Sequence, residues 1–342
     1  MKRSSLRLAG VALATSALLL AACGNGDGGG SDDPTDGATE TATGGSGEEA
    51  QTYSIGITQI VSHPSLDAAR DGFKAALADA GLDVEYDEQN AQGDQTTAIS
   101  IANGFASADH DLILAVATPT AQAVAQTITD VPILITAVTE PQEAGLVDSW
   151  EAPGGNVTGT SDLNPVAEQL ELVMELAPDA ESIGIVYSSG EVNSEIQVAL
   201  AEEAAAELGV EIELATVTNS GEVQQAADSL DVDAFYVPTD NTVVSALESL
   251  LQVAESKSLP VVVGEGDSVE RGGIATYGID YEQLGYQTGE MAVRILLEGA
   301  DPAEMPIEEQ SEFLLIVNPA AAERMGVEIP ADLLERADTV IE

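Results

Sequence analysis

Short polar side chains gather in the loops that follow the apolar runs of this sequence, and their types suit the binding of a small polar solute. Up to residue 139 the candidate ligand-binding residues are Gln59, Ser62, His63, Thr118, Thr120 and Thr139. From residue 162 onward the candidates are Asp162, Ser188, Ser189, Asn193, Asp240, Asn241 and Glu265. Hydroxyl groups that precede a helix lie beside free backbone N–H groups and the positive end of the helix dipole, which favours an anion. The pattern indicates a carboxylate held without Arg or Lys.

The distribution of donors and acceptors suggests that the solute is a zwitterion. Ser62, Thr118 and Thr120 would hold an α-carboxylate. Asp240 or Glu265 would meet an α-ammonium group through a charge-assisted hydrogen bond. Each candidate has a second interpretation. The hydroxyl residues and Asp240 could cap helices, and Glu265 could belong to a surface turn.

The sequence gives little support for catalysis. It lacks a nucleophile elbow, a Cys/His couple and a P-loop, so we predict no catalytic residue, no cofactor and no enzymatic activity. His63 and His110 are too far apart in sequence, and too unlike in context, to suggest a metal site. Glu265 and Asp267 lie two residues apart, and in an extended loop such residues point in opposite directions.

Length and charge bound the possible functions. A chain of 342 residues exceeds what one core usually holds, which favours two domains. The balance of 10 Lys+Arg against 60 Asp+Glu gives a formal net charge of -50, which repels phosphate backbones and excludes a nucleic-acid partner. The acidic residues could form a solvated surface tuned to high salt, or a patch for one specific partner.

The beginning of the chain has the pattern of a lipoprotein signal. A basic start is followed by a short apolar run that ends in Leu-Ala-Ala-Cys, so we predict a signal peptide over 1–22 and a lipid anchor on Cys23, the only cysteine. Residues 23–50 would be the lipidated Cys and a disordered linker that spans roughly 30 Å as a flexible chain. The predicted location is extracytoplasmic, at the outer face of the cell membrane.

From Tyr53 onward, short apolar runs alternate with amphipathic helices, as in a parallel sheet with helical crossovers. Buried strands are predicted at 112–117, 133–138, 183–187, 212–217, 234–237, 261–263 and 313–317. The chain also repeats itself. Ser-Ile-Gly-Ile at 54–57 recurs at 182–185, and the stretches that begin at Asp111 and Val131 have counterparts at Asp233 and Leu259. Two equivalent α/β lobes follow.

The ends of the two copies also match, at 154–162 and 272–280. Each of these segments would be a spare strand and helix that crosses to the other lobe. The predicted fold class is α/β, with two similar doubly wound parallel-sheet lobes joined by a multi-strand hinge. Lobe 1 would comprise 51–158 plus 279–305, and lobe 2 would comprise 159–278 plus 306–342. Because open α/β sheets bind ligands at the carboxyl ends of their strands, the cleft between the lobes is the predicted site.

Several stretches resemble one known family. They are Val-Ser-His-Pro-Ser-Leu-Asp-Ala-Ala-Arg-Asp-Gly-Phe at 61–73, Gln-Asn-Ala-Gln-Gly-Asp-Gln at 89–95, Ala-Thr-Pro-Thr at 117–120, Gly-Asn-Val-Thr-Gly-Thr-Ser-Asp at 155–162, Val-Pro-Thr-Asp-Asn-Thr-Val-Val at 237–244 and Gly-Glu-Gly-Asp-Ser at 264–268. With these motifs the chain resembles ABC transporter substrate-binding lipoproteins, whose best-known members take up tryptophan and related aromatic amino acids. The resemblance implies a type I periplasmic-binding fold and an importer partner made of a permease and an ATPase.

The solute predicted first is an aromatic or branched apolar amino acid, and a nucleoside or small sugar is the alternative. Phe105, Tyr187 and Tyr236 are the candidates to stack on an aromatic ring, although each could instead belong to a core. We expect a monomer that closes around its solute by hinge bending. The main functional alternative is a sensor subunit that binds the same kind of ligand and signals to a membrane kinase.

Overall fold

The computed structural model describes residues 51–341, which form two separate β-sheets, each with its own hydrophobic core. The predicted signal peptide, Cys23 and the linker lie outside the described residues. Within the described part of the chain, no helix combines the length and the apolar character that a membrane crossing requires.

The sheet of lobe 1 has five parallel strands in the order β2-β1-β3-β4-β5. Its elements in chain order are β1 (Thr52–Gln59), α1 (Pro64–Asp79), β2 (Asp83–Asn90), α2 (Gln95–Phe105), β3 (Leu112–Val116), α3 (Thr118–Thr127), β4 (Ile133–Val138) and β5 (Val157–Ser161). The strands β3 and β4 are buried along their whole length and, apart from Thr136 in β4, are apolar, as helices on both faces of a parallel sheet require.

The sheet of lobe 2 repeats this order and adds two strands, giving β12-β11-β10-β9-β8-β6-β7. Its elements up to β10 are α4 (Val166–Leu176), β6 (Ser182–Ser188), α5 (Val192–Leu208), β7 (Glu211–Val217), α6 (Val223–Ser229), β8 (Ala234–Val237), α7 (Asn241–Val244), α8 (Leu247–Lys257), β9 (Val261–Val263), α9 (Gly266–Glu270) and β10 (Ala275–Gly278). There follow α10 (Tyr281–Glu298), β11 (Leu314–Val317), α11 (Pro319–Met325), α12 (Ala331–Arg336) and β12 (Thr339–Val340). Short 3-10 helices occur at Ser220–Glu222 and Pro302–Glu304. The two added strands depart from the predicted parallel sheet, because β11 pairs antiparallel with β10 and β12 pairs parallel with β11.

One detail of the repeat has the same structural role in both lobes. The Asp111 carboxylate accepts a hydrogen bond from the backbone N–H of Ser54, 2.8 Å away, at the start of β1. The Asp233 carboxylate accepts one from the backbone N–H of Ser182, 3.0 Å away, at the start of β6. Each carboxylate ties the beginning of the third strand of its lobe to the first. The matched sequence positions therefore mark matched backbone positions.

Three segments connect the lobes, and they differ from the predicted crossover in one respect. The strands β5 and β10 stay in the sheets of their own lobes, and only the helices α4 and α10 cross. The boundary predicted after residue 158 therefore falls inside β5, which remains in lobe 1 as far as Ser161. The reason is that β5 is hydrogen-bonded beside β4, and β10 beside β9, so each strand completes the sheet of its own lobe. The third connection runs from Glu308, which pairs with β5, to β11.

Helix α10 packs on α1 in lobe 1 at a distance that only glycine permits. A Cβ atom on Gly285 would lie 1.8 Å from the carbonyl oxygen of Ala69, and one on Gly72 would lie 2.0 Å from that of Glu282. Such close backbones set the position of α10 relative to α1. Because α10 begins at the cleft and α1 begins beside it, this contact also positions part of the site.

We expect Gly285→Ala to destabilise the protein by about 1–3 kcal/mol, because the new methyl group must push α10 away from α1. The measurement is the free energy of unfolding in urea. Gly104→Ala is the matched control, since Gly104 lies in α2 and a Cβ atom there meets nothing within 4 Å. The control should gain up to about 1 kcal/mol from helix propensity. Equal behaviour of the two variants would contradict the close contact.

Candidate functional site

A small, largely enclosed cavity lies between the two lobes, at the carboxyl ends of their strands. Its lining comprises His63, Leu66, Ala137, Thr139, Asp162, Asn193, Thr239, Asn241, Val244, Glu265 and Tyr281. These residues come from both lobes and from the connections between them. The volume left free is about 10 Å³, room for about one water molecule, so the lobes stand close together here. The structure therefore places the predicted cleft where strand topology requires it.

Asp162 lies at the hinge end of this cavity, just after β5. One carboxylate oxygen accepts a hydrogen bond from Thr139 Oγ1 at 3.1 Å, and the other accepts one from Tyr281 Oη at 2.8 Å. Burial raises the pKa of Asp162 to about 6, although the hydrogen bonds from Tyr281 and Thr139 lower it. Each oxygen keeps a lone pair for a further donor, so the carboxylate can accept hydrogen bonds from a cationic group.

Glu265 is the second carboxylate of the cavity and follows β9 in lobe 2. It is 2% exposed and accepts a hydrogen bond from Ser268 Oγ at 2.8 Å. Burial raises the pKa of Glu265 to about 7, with a smaller contrary effect from Ser268. No Arg or Lys is among the described residues that line the cavity. Two acidic groups therefore share a buried space whose lining contains no permanent cation, and a positively charged solute group would compensate them.

Four buried polar atoms in the loops and helix starts around the cleft have no hydrogen-bond partner in the described structure, and of their residues His63 and Asn193 line the cavity. The four atoms are His63 Nδ1, Ser65 Oγ, Thr118 Oγ1 and Asn193 Oδ1. Burial lowers the pKa of His63 to about 4, so its imidazole is neutral near pH 7. Buried polar atoms are nearly always hydrogen-bonded in folded proteins. A cluster of unpaired ones beside a cavity therefore indicates a place where a ligand supplies the missing partners.

Two alanines at the cleft have backbone conformations that non-glycine residues rarely adopt. Ala117 has φ +79° immediately before α3, and Ala137 has φ +53° in β4 and lines the cavity. Such strain costs of order 1–3 kcal/mol per residue and concentrates at ligand sites. Both residues lie where a strand of lobe 1 ends. Ala117 and Ala137 therefore lie at the same edge of the lobe 1 sheet as the unpaired side chains of that lobe.

Asp240, predicted as a possible ammonium partner, is not part of the cavity lining. One of its carboxylate oxygens caps α7 by accepting from the backbone N–H of Val243 at 2.7 Å. The other accepts from the backbone N–H of Ser188 at 2.6 Å and from Ser194 Oγ at 2.7 Å. Burial and the neighbouring Glu191 raise the pKa of Asp240 to about 7. In this structure Asp240 caps a helix, which is the second interpretation of this residue. Glu265 is the lobe 2 carboxylate that lines the cavity.

Three further candidates in lobe 1 use their side chains within the protein. Thr120 Oγ1 donates to the carbonyl oxygens of Val116 and Ala117 at the start of α3. Gln59 and Ser62 both donate to the carboxylate of Asp67, which lies in the first turn of α1. These contacts stabilise the loops of the site. Thr118, in contrast, keeps its hydroxyl unpaired.

The remaining candidates of lobe 2 divide between two places. Asn193 and Asn241 line the enclosed cavity. Ser188 and Ser189 instead line a wider groove at the rim of the cleft, whose volume is about 450 Å³ and which meets the enclosed cavity at Asn241. Across this groove, Gln95 Nε2 of lobe 1 donates to the carbonyl oxygen of Gly190 in lobe 2 at 2.8 Å.

The aromatic residues proposed for stacking lie elsewhere. Phe105 packs edge-on against His110, Tyr236 is fully buried with its hydroxyl on Gln169, and Tyr187 packs against the core of lobe 2. The aromatic side chain that lines the cavity is Tyr281, which was not among the residues predicted from the sequence. A signal for it existed, because Tyr281 directly follows the second copy of the repeated Gly-Gly segment. Leu66, Ala137 and Val244 were missed as well, since apolar residues in such positions look like core.

Residues 54–341 match the model of the family described as ABC transporter substrate binding protein. The chain belongs to this family. The match covers the two lobes and all the residues of the cavity. As the resemblance implied, this substrate-binding protein has the type I periplasmic-binding fold of its structural neighbours.

Known proteins that are similar to this substrate-binding protein extend the comparison. The chain is 46% identical over 270 residues to a tyrosine-binding protein of Clostridioides difficile strain R20291, covering 77% of this chain and 78% of the relative. It is 36% identical to an ABC domain from Streptococcus pneumonia solved in complex with L-Trp, with a TM-score of 0.82 and coverage of 85% and 100% of the two chains.

A third comparison bears on the arrangement of the lobes. The ligand-free, open structure of a substrate-binding protein with adhesive properties from Clostridium difficile is 44% identical, with coverage of 85% and 99%, yet its TM-score is 0.64. The L-Trp complex has lower identity and the higher score. The lobes of this substrate-binding protein are therefore arranged more like those of the liganded structure than like those of the open one.

Proposed function

We propose that this protein is an extracytoplasmic lipoprotein, anchored through Cys23, that captures an aromatic or branched apolar L-amino acid and delivers it to an ABC permease and its ATPase. The observation that carries the proposal is the polarity of the inter-lobe cavity. Two buried carboxylates lie in the cavity, and unpaired hydroxyl and imidazole groups lie at the helix starts of lobe 1. A zwitterion presents the complementary pair of charges.

In this proposal the solute ammonium group binds between Asp162 and Glu265. Both side chains are almost completely buried, and no Lys or Arg of the described residues lines the same space. Hydrogen bonds from an ammonium to buried carboxylates are charge-assisted and are about twice as strong as neutral ones. A neutral sugar would leave two carboxylates uncompensated. The cavity therefore favours an amine-bearing solute over the sugar and nucleoside alternatives.

The α-carboxylate of the solute would bind at the starts of α1 and α3. Ser65 and Thr118 lie in the first turns of these helices. Neither buried hydroxyl makes a hydrogen bond of ordinary geometry within the protein, although Ser65 is close enough to Glu265 to lower the pKa of that carboxyl. Backbone N–H groups at the same helix ends, and the helix dipoles, add favourable interactions with an anion. His63 stays neutral near pH 7 and can donate one more hydrogen bond.

The side chain of the solute would contact Leu66 and Val244, the larger aliphatic residues of the lining. The relatives support an aromatic ring, because one is named a tyrosine-binding protein and another was solved with L-Trp. The free volume of about 10 Å³ is too small for any amino acid. Binding must therefore separate the lobes slightly from this close arrangement, and the solute then bridges them.

Closure in this proposal depends on the solute. Without a cation, bringing the lobes together buries Asp162 and Glu265 at a cost, which the raised pKa of each group reflects. The ammonium group removes this cost in the closed form only. A solute shifts the equilibrium by its difference in affinity for the two forms, so an amine favours closure. We infer that the solute is released chemically unchanged.

The test is a thermal-shift screen of the chain from residue 51 against the L-amino acids, nucleosides and sugars, followed by calorimetry. L-tyrosine, L-tryptophan or a related amino acid at about 100 times its Kd should stabilise the protein by about 2.7 kcal/mol. D-amino acids and sugars should produce smaller shifts. If no amino acid shifts the melting temperature, the proposed ligand class is wrong.

A further inference from the structure

Tyr281 occupies an unusual position in the chain. It is the first residue of α10, the helix that leaves lobe 2 and packs in lobe 1. Its ring belongs to the core of lobe 1 and is 4% exposed, whereas its hydroxyl reaches the cavity and donates to Asp162 Oδ2 at 2.8 Å. The ring of Tyr281 therefore packs in the core of lobe 1, and its hydroxyl group is part of the site.

The Tyr281–Asp162 hydrogen bond joins two of the three connections between the lobes. Asp162 lies in the connection from β5 to α4, and Tyr281 begins the helix that follows the connection from β10. The third connection is tied in next to it. Gln310 Nε2 donates to the carbonyl oxygen of Asp280 at 2.6 Å, and Gln310 Oε1 accepts from the backbone N–H of Asp280 at 3.1 Å. Because Asp280 and Tyr281 are adjacent in the chain, these hydrogen bonds together hold all three connections close to the cavity.

We propose that Tyr281 is a positioning residue that holds the Asp162 carboxylate ionised and aimed at the solute ammonium group, so that it makes the site specific for solutes that carry an amine. This inference rests on the proposed function. The phenol supplies a donor in a site whose described lining residues include no Arg or Lys, and its fixed place at the start of α10 orients the carboxylate.

The groups that face Asp162 show why one neutral donor matters here. Thr139 at the end of β4 donates to Oδ1, and Glu265 from the loop after β9 adds a repulsive negative charge. Loss of the Tyr281 hydroxyl would leave Thr139 as the single side-chain donor to Asp162 among the described contacts. The anion would then be less favourable, and the proton would stay on Asp162 to a higher pH.

The experiment measures the affinity for L-tyrosine or L-tryptophan between about pH 8 and pH 5 in Tyr281→Phe. We expect affinity about tenfold or more weaker near neutral pH, which is the effect of losing a hydrogen bond to a charged group. We also expect the acid limb of the pH profile to move to higher pH by about one unit. Tyr286→Phe is the matched control, because this phenol of the same helix donates to the exposed Asp79. It should change neither quantity.

The outcomes separate the roles. An unshifted pH profile in a folded Tyr281→Phe variant that binds an amino acid would overturn the positioning role, and the proposed function would stand. Failure of the wild-type protein to bind any amino acid would instead overturn the proposed function. If Tyr281→Phe does not fold, the wild type labelled with 3-fluorotyrosine replaces it. A more acidic phenol is a stronger donor and should move the acid limb to lower pH, and an unmoved limb would overturn the role.

Discussion

Asp162→Asn is expected to weaken amino acid binding about 100-fold or more while the unliganded protein keeps its fold. The amide cannot carry the charge that pairs with the solute ammonium group, and losing one partner of a buried charge pair costs about 2–5 kcal/mol. Thr139 and Tyr281 remain in place to fill the space, so the change in packing is small. Isothermal calorimetry with L-tyrosine and L-tryptophan measures the loss, and the melting temperature without ligand reports on the fold.

Asp240→Ala is the informative contrast, because it removes a carboxylate that was also predicted from the sequence to contact the ligand. Its oxygens cap α7 and accept from Ser188 and Ser194. We expect a loss of about 3 kcal/mol in stability, since a helix cap and two buried donors lose their acceptor. The fraction that stays folded should bind the amino acid with nearly normal affinity. A variant with full stability and no binding would show that Asp240 contacts the solute and would contradict its purely structural role.

A second large effect is expected from pH, with opposite signs for affinity and for stability. Affinity should be highest above about pH 7, where Asp162 and Glu265 are ionised, and should fall through the pKa of Asp162 at about 6. Each carboxylate that must lose a proton to bind costs up to about tenfold in affinity for every pH unit below its pKa. The solute ammonium group does not titrate in this range. Calorimetry at about pH 8, 7, 6 and 5 measures the slope.

The stability of the unliganded protein should move in the other direction. Asp162, Glu265 and Asp240 have raised pKa values, so the folded state binds protons more tightly than the unfolded chain and gains stability as pH falls from about 7 to 5. His63 opposes them, because its pKa of about 4 means that only the unfolded chain takes up its proton below pH 6.5. Three carboxylates outweigh one imidazole, and the melting temperature should rise.

Glu265→Gln and Asp162→Asn serve as the controls for this pair of trends. Each variant removes one buried acid, so the gain in melting temperature between about pH 7 and pH 5 should shrink in both. Because the ammonium group is proposed to bind between Asp162 and Glu265, each variant should remove one of the two titrations that form the acid limb of binding and keep the other. A wild-type affinity that stays constant from about pH 8 to pH 5 would contradict the role of both carboxylates.

These expectations share one physical origin, which is the burial of acidic groups without cations in the cavity lining. The chain has 60 acidic residues against 10 Lys and Arg residues, and no Arg or Lys is among the described residues that line the cavity. Arg271 lowers the pKa of Glu265 from outside this lining, so the cation that contacts the carboxylates directly is expected to come from the solute. Burying these carboxylates without a cation makes the closed form unfavourable when the cleft is empty. A solute that supplies the cation therefore shifts the equilibrium towards the closed form.

Much of the architecture could be predicted because it depends on local patterns. The buried strands β3 and β4 are apolar except for Thr136, and the internal repeat of the sequence is enough to predict matching strands in two lobes. Parallel strands direct their carboxyl ends to one edge, so the loops after them had to meet in the cleft. The family resemblance added the expected fold, and residues 54–341 match that family.

The sequence pattern alone could not predict which of the candidate residues line the site. A Ser, Thr or Asp before a helix satisfies the helix end and a ligand equally well, and sequence contains no information on which donors a side chain meets. Asp240 has three protein donors and Glu265 accepts from Ser268 and lines the cavity, a difference that arises from contacts between segments far apart in the chain. Tyr281 was missed for the same reason.

The sequence by itself determined that the chain forms two equivalent parallel-sheet lobes with a polar cleft between them. Hydrophobic periodicity, internal repetition and strand direction can all be read from local stretches of sequence. Only the tertiary structure decided that Asp162, Glu265 and Tyr281 meet there, that Ala117 and Ala137 are strained, and that α10 crosses while β10 stays. Those facts depend on how the three connections fold back on one another. Burial and hydrogen bonding between distant segments exist only in the assembled chain.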